Sequence, residues 1–374
     1  MRSSAMKLIA TAGFLLCFLM AATQAAAATQ KAARESKIDI GVYYFPGWHS
    51  KSDYWNDIKG LPGSRSPNVA WPGRVPLLGF YPEEEVWVAE KHIEWASRHG
   101  ITFFAHEFYW RHGKPELEHA LKAHVRAKNK NDLKFCLFWA NEGGSPPSLD
   151  NFDAMVDYWL KEYVGDKSYY RVNGMPLVFI FDPDTLTRNA KELGVTSRDL
   201  LERANAAARS KGYRGFYFVA LLSFYQPSDR VEEKYLAQGY SGYSAYNYVA
   251  AKDRSHYADY DSMVDTHLDF YAAAARTGKK LQYLPTASPG YDGRPWVGTR
   301  PKIHVRLNPT PAKFKKVLEG ARELLLKAPA GSPRILTIGA WNEFAEGAYI
   351  EPTREWGMQY LETIRNVFGA GGRK

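Results

Sequence analysis

The sequence predicts an α/β fold, a single (β/α)8 TIM barrel following an N-terminal signal peptide. Two observations carry this. From Ile38 to Phe368, eight short apolar runs alternate with amphipathic helical runs, the pattern of parallel strands buried on both faces and joined by right-handed helical crossovers. Carboxylate, amide and aromatic residues gather just after those runs, at the strand ends where barrels of this kind perform chemistry. The alternative is an open doubly wound sheet. It calls for a Gly-rich phosphate turn after the first strand, and Tyr43-Tyr44-Phe45-Pro46-Gly47 is not one.

The first residues form a targeting signal. Arg2 and Lys7 make a basic start, Leu8 to Met20 an apolar core, and Ala26-Ala27-Ala28 a small-residue cleavage site. Residues 1–28 are therefore assigned to a signal peptide, and residues 29–374 to one exported domain, periplasmic or secreted. The apolar run is too short for stable membrane insertion once the signal is cleaved. Cys17 leaves with the signal, so Cys136 has no intramolecular disulfide partner. It sits in Leu133-Lys-Phe-Cys-Leu-Phe-Trp139, where a small buried hydrophobe is expected.

Strand one is Ile38 to Phe45, followed by a Pro-, Gly- and Trp-rich loop from His49 to Tyr81, long enough to suggest a functional role. A helix runs from Pro82 to His99, started by proline and stopped by Gly100. Strand two is Ile101 to His106, with a helix from Pro115 to Lys128. Strand three is Lys134 to Trp139, with a helix from Asn151 to Tyr163. Strand four is Pro176 to Phe181, with a turn at Asp182-Pro183 and a helix from Ser197 to Lys211. Strand five is Gly215 to Leu221, with a helix from Val231 to Ala237. Strand six, around Tyr243 to Tyr246, precedes a helix from Tyr260 to Arg276. Strand seven is Lys280 to Leu284, and a helix from Pro311 to Leu325 leads to strand eight, Ile335 to Ala340. The last helix spans Glu355 to Phe368.

The net charge of +9 drops to about +7 without the signal, and the basic residues scatter over helix faces, which argues against nucleic acid. Aromatic residues make up 14% of the chain, with eleven Trp and twenty-four Tyr. Flat rings with polar edges suit the faces and rims of sugars.

The ends of the strands bring Tyr43, Tyr44 and Trp48 toward one cleft, then His106, Glu107, Tyr109 and Trp110, then Trp139, Asn141 and Glu142. Asp182, Tyr246, Asn247, Tyr291 and Asp292 follow, and Trp341, Asn342, Glu343 and Glu346 complete the set. Such a mixture fits a neutral polyol. No HExxH, CxxC or EF-hand loop is present, so neither a metal site nor a cofactor is assigned. No GxSxG elbow offers a serine nucleophile. Glu343 and Glu346 stand three apart, an odd offset that would send them to opposite faces of a continuing strand. They share a cavity only if the strand stops near Glu343 and the backbone turns, which Gly347 permits. Two acids held together separate in pKa and supply a proton donor and a base.

Trp341-Asn-Glu-Phe-Ala-Glu-Gly-Ala-Tyr-Ile-Glu-Pro352 resembles the signature of glycoside hydrolase family 99 and, more closely, of its relatives the WbsX-type polysaccharide proteins. Phe135 to Glu142, Tyr170 to Phe181 and Pro289-Gly-Tyr-Asp292 extend the resemblance over nearly the whole mature chain. It implies an endo-acting, family-99-like glycosidase that retains anomeric configuration without an enzyme nucleophile. Carried over, Glu343 is the base for the sugar 2-hydroxyl, which attacks the anomeric carbon to form a 1,2-anhydro sugar, and Glu346 is the general acid/base. The family's mannosidases carry Trp-His between the two acids where this chain has Phe344-Ala345, which detaches the resemblance from mannoside specificity. The implied partner is a polysaccharide or oligosaccharide. The alternatives are a glycosyltransferase or transglycosylase of polysaccharide biosynthesis, and a non-catalytic carbohydrate-binding protein.

Overall fold

The computed structural model describes residues 37–66, 68–143, 146–222, 225–297 and 303–369; the signal peptide assigned to residues 1–28, with Cys17, lies outside them. The strands are β1 (Asp39–Tyr44), β2 (Phe103–Arg111), β3 (Lys134–Trp139), β4 (Met175–Ile180), β5 (Tyr217–Leu221), β6 (Gly242–Ser244), β7 (Gln282–Tyr283), β8 (Thr286–Ala287) and β9 (Ile335–Ile338). They form one parallel sheet in the order β7-β6-β5-β4-β3-β2-β1-β9-β8. Of its two outermost strands, Gln282–Tyr283 lies within the predicted seventh strand and Thr286–Ala287 lies just beyond its predicted end, the two separated only by Leu284 and Pro285. Tyr283 pairs with Tyr243 of β6, and Thr286 with Thr337 of β9.

Every interior strand is buried on both faces, which explains why the sequence shows continuous apolar runs instead of alternation. Facing pairs in register point the same way. Tyr43 packs against Phe138, Phe179 and Tyr246 at ring separations of 5.3, 5.3 and 5.4 Å, so this alternate set fills the concave side of the sheet. Beneath the rings, the hydroxyls of Ser244, Thr286 and Thr337 bond to one another and Tyr43 Oη donates to Ala245 O at 3.1 Å. The other set, with Tyr44, Phe104, His106 and Trp139, faces the helices.

Helices Val86–Arg98, His119–Arg126, Leu149–Trp159, Ser197–Ser210, Asp229–Ala237, Tyr260–Arg276, Pro311–Leu326 and Gln359–Phe368 occupy the predicted places. Three local features differ from the sequence reading. Asp182-Pro183 is not a turn but the start of a helix, Pro183–Glu192; the Asp182 side chain caps it by accepting from Thr185 N–H at 2.7 Å, with proline in the first turn. β2 runs on to Arg111 and folds back on Lys114–Glu116, pairing Trp110 with Pro115, so the next helix begins at His119 and not at Pro115. The long loop contains a short helix, Tyr54–Lys59, ended by Gly60 in the left-handed region.

Candidate active site

After β9 the chain forms a small hairpin. Asn342 and Glu343 pair antiparallel with Tyr349 and Ala348, Phe344–Glu346 make one 3-10 turn, and Gly347 closes it at φ 65. The turn expected from the odd spacing of the two acids is therefore present. Gly347 has a steric reason as well: a Cβ there would lie 2.9 Å from Asp292 N.

Three separate segments hold alternate carbonyls of this hairpin. Trp48 Nε1 donates to Asn342 O at 2.8 Å, Arg74 Nη1 to Phe344 O at 2.9 Å, and Asp292 N to Glu346 O at 2.6 Å. Arg74 is buried, donates also to Asp292 O at 3.0 Å, and pairs with Asp292 Oδ2 at 2.6 Å. Asp292 takes two further bonds from the Arg294 guanidinium, both 2.8 Å, and these cations hold its carboxyl below the usual range against the effect of burial. Asp292, a predicted sugar contact, thus spends its carboxylate within the protein.

The concave side supplies the acids. Glu107, in register with Phe138, rises over the aromatic floor beside Glu343. Tyr246 Oη lies 2.9 Å from Glu107 Oε1 and 2.7 Å from Glu343 Oε1, and Tyr109 Oη donates to Glu107 Oε2 at 2.8 Å. Burial first, then the neighbouring Glu346 and Glu107, push the Glu343 carboxyl well above its ordinary value. Burial raises Glu346 to about 7. Burial raises Glu107 to about 8, with Glu142 and Glu346 adding and the two tyrosines opposing. Glu142 is exposed at the mouth, and Tyr291 is half-buried near both acids of the hairpin. Tyr54, half-buried in the long loop, also feels Glu343.

Other predicted site residues have structural roles. Tyr44 contacts His92 at 3.1 Å, Trp110 donates to Asn151 at 3.0 Å, Trp139 packs on Trp159, and Trp341 packs on His92 and Phe104; all four face the helical layer and not the cleft. Trp48 is wholly buried against Trp55 and Phe344. Asn141 accepts from Asp182 N–H and donates to Asp182 O, both at 2.8 Å, and Asn342 does the same for Phe45 at 2.9 and 2.8 Å. Each amide therefore extends a strand ladder past its end. Asn247 is 3% exposed and neither polar atom of its amide has a partner among the described residues.

The residues missed by sequence reading are Tyr54, Arg74, Glu83 and Glu351. Glu83 accepts from Trp48 N–H at 2.7 Å and contacts His119 Nε2 at 2.6 Å. Glu351 accepts from Tyr81 Oη at 2.7 Å and meets His92 at 3.2 Å. Glu83 ties the two ends of the long loop to each other and to the helix that begins at His119, and Glu351 ties the end of that loop to the segment after the hairpin. A cavity of about 500 Å³ lies behind the hairpin, lined by Trp71, Arg74, Tyr291, Tyr349 and Trp356 among others. Among the described residues, no group of three or more His, Cys, Asp or Glu is placed to hold a metal ion, and no helix is long and apolar enough to cross a membrane.

Comparison with known proteins agrees with this geometry. The sequence model of the family described as Glycosyltransferase WbsX matches residues 71–145 and 148–364. An uncharacterized protein, WxcX, from Xanthomonas campestris pv. campestris is 25% identical over 355 residues, covering 87% of this chain and 49% of its own length. The chain thus spans about half of the curated relatives it matches. Among solved structures, a glycoside hydrolase-like protein superposes with a TM-score of 0.63 at 18% identity, covering 89% of this chain and 94% of its own. The family 99 endo-alpha-mannosidase from Bacteroides thetaiotaomicron gives 0.55 at 17% identity, covering 88% and 96%. The fold is glycoside hydrolase-like.

Proposed function

We propose that this chain, which belongs to the WbsX glycosyltransferase family, is an exported glycoside hydrolase that cleaves within a polysaccharide. The observation that carries the reading is the hairpin holding Glu343 and Glu346 over the aromatic floor, with three segments fixing its carbonyls. The barrel is taken as closed, with the seventh strand bridging β6 and β9 across Leu284-Pro285.

In this reading Glu343 removes the proton of the sugar 2-hydroxyl, and that oxygen attacks the anomeric carbon as its bond to the leaving oxygen breaks. Glu346 gives its proton to the leaving oxygen, a task for which a carboxyl raised to about 7 is suited at neutral pH. Water then opens the 1,2-anhydro ring, giving a proton to Glu346 while Glu343 returns its own to the 2-hydroxyl. Configuration is retained without an enzyme nucleophile, unlike the two usual carboxylate arrangements. Tyr246, Glu107, Tyr109, Tyr291 and Asn247 face or adjoin the reacting sugar, and the cavity with Trp71 and Trp356 accommodates further units.

The test is an anomer-resolved NMR digest of α-mannans and bacterial exopolysaccharides, comparing wild type with Glu346→Gln. Early product of retained configuration, absent in the variant, is expected. Inverted product refutes participation of the 2-hydroxyl. Elongated acceptors instead of shortened chains establish transfer, and saturable binding without product establishes a binding protein.

A further inference from the structure

The contacts around Tyr246 require one more proton than the tyrosine owns. Its hydroxyl carries a single hydrogen, yet its oxygen lies within hydrogen-bond distance of two carboxylate oxygens, Glu107 Oε1 at 2.9 Å and Glu343 Oε1 at 2.7 Å. With both acids ionised, one of these contacts would set two lone pairs against each other in a buried site, a costly arrangement. Both become hydrogen bonds when one carboxyl is protonated and donates to Tyr246 Oη, while Tyr246 donates to the other.

We propose that Glu107, Tyr246 and Glu343 hold one shared proton, and that Glu107 is the positioning residue that receives it when Glu343 acts as base. This rests on the reading of Glu343 as the 2-hydroxyl base. The transfer balances within the three residues. The Glu343 Oε1–H bond breaks as Tyr246 Oη accepts that proton, and the tyrosine's own proton passes to Glu107 Oε1. Net charge is unchanged, and Glu343 is left ionised toward the substrate.

The surroundings favour this order. Glu107 has a second donor, Tyr109 Oη at 2.8 Å on Oε2, so at rest it is the better-stabilised anion and the proton sits on Glu343. The groups facing Glu107 are Tyr109, Tyr246, Glu142 and Glu346, and those facing Glu343 are Tyr246, Glu346, Glu107 and Glu83, with Tyr54 and Tyr291 nearby. All are acids or phenols. Arg111 lies over the Tyr109 ring at 5.1 Å, one residue removed from the pair. Burial among like-charged neighbours opposes a second negative charge on the pair.

Infrared difference spectroscopy of the protein without substrate tests this, in a Glu346→Gln background so that Glu346 adds no band. Glutamine at 107 can offer its N–H to Tyr246 and its oxygen to Tyr109, reproducing a protonated Glu107. Glutamine at 343 likewise mimics a protonated Glu343. At neutral pH each single variant, Glu107→Gln or Glu343→Gln, should therefore lose one protonated-carboxyl band, and the double variant should lose no more than either. A loss of two bands in the double variant means that both acids are protonated independently. Loss in only one single variant means a fixed proton, and loss in neither means a fully ionised pair; each overturns the proposal. If the double variant does not fold, the wild-type-minus-Glu107→Gln band decides by its pH course, since a shared proton must leave above neutrality.

Activity gives the second readout. Glu107→Gln should keep at least tenfold more of kcat than Glu107→Met, a rescue that a purely space-filling role would not give. Because the spectra need no substrate, failure of the shared proton and failure of the hydrolase reading are separable.

Discussion

Arg74 is the residue whose removal should be felt most clearly. It is 8% exposed, and its guanidinium joins the long loop to the hairpin of Glu343 and Glu346 and to the segment after β8. In Arg74→Met, the Asp292 carbonyl loses a donor at 3.0 Å and the Phe344 carbonyl one at 2.9 Å, the latter keeping Gly347 N–H at 3.3 Å. A buried acceptor left without its partner costs about 1–3 kcal/mol. We assign about 2 kcal/mol to the first and about 1 kcal/mol to the second, for a loss of about 3 kcal/mol. The Asp292 carboxylate does not add to this, because Arg294 still holds both its oxygens at 2.8 Å. In the double variant Arg74→Met, Arg294→Met, that compensation goes too. A nearly buried carboxylate without a cation costs about 3–5 kcal/mol, so the double loss should exceed the sum of the singles by at least about 1 kcal/mol. Urea midpoints at constant m measure both quantities. A single-variant loss below about 1 kcal/mol, or additive singles, would refute the claim that this guanidinium holds the hairpin.

Three further outcomes are expected. Glu346 is raised to about 7, and under the shared-proton proposal the Glu107–Glu343 pair gives up its one proton only above neutrality; both releases come above the ordinary carboxyl range, so their contribution is complete below that range and lost as pH rises through neutrality. The melting temperature should fall between about pH 5 and pH 9 and fall less in Glu346→Gln; a flat or rising curve in wild type contradicts the burial argument. Gly347→Ala must place a Cβ 2.9 Å from Asp292 N at φ 65, costing at least about 1–2 kcal/mol and reducing kcat tenfold or more, checked by melting and by the glycan digest. Asn141→Leu removes both bonds to Asp182 and should cost about 2–3 kcal/mol in urea unfolding; a neutral result would show that the β3–β4 ladder does not need its side-chain rung.

The helix–strand alternation was plain in the sequence because strands buried on both faces leave uninterrupted apolar runs. Helix Tyr260–Arg276 and strand Lys134–Trp139 fall on their predicted bounds. The turn between Glu343 and Glu346 was legible from a parity argument. Parity also carried information that the expected site list did not use. Tyr43 and Tyr44, or Tyr109 and Trp110, are adjacent in a strand and cannot both face the cleft, and the outward member of each pair packs on helices, Tyr44 on His92 and Trp110 on Tyr158. The helix Pro183–Glu192 announced itself through an Asp cap and a first-turn proline that a turn reading equally accommodates. Arg74 carried no local signal, since its partners stand more than two hundred residues away. Long-range pairing of that kind leaves no mark on periodicity.

The divided seventh strand has a consequence for how the molecule comes apart. Each half gives its neighbour only two paired residues, and Pro285 between them brings no N–H to the ladder. Elsewhere β2 and β3 are matched over six positions. Heat should therefore separate the sheet at this thin place before any other. The freed margins of β6 and β9 would then expose unpaired backbone to other molecules, the condition under which strands pair edge to edge between chains. Aggregation on heating would begin at this junction while the hairpin of Glu343 and Glu346 is still folded.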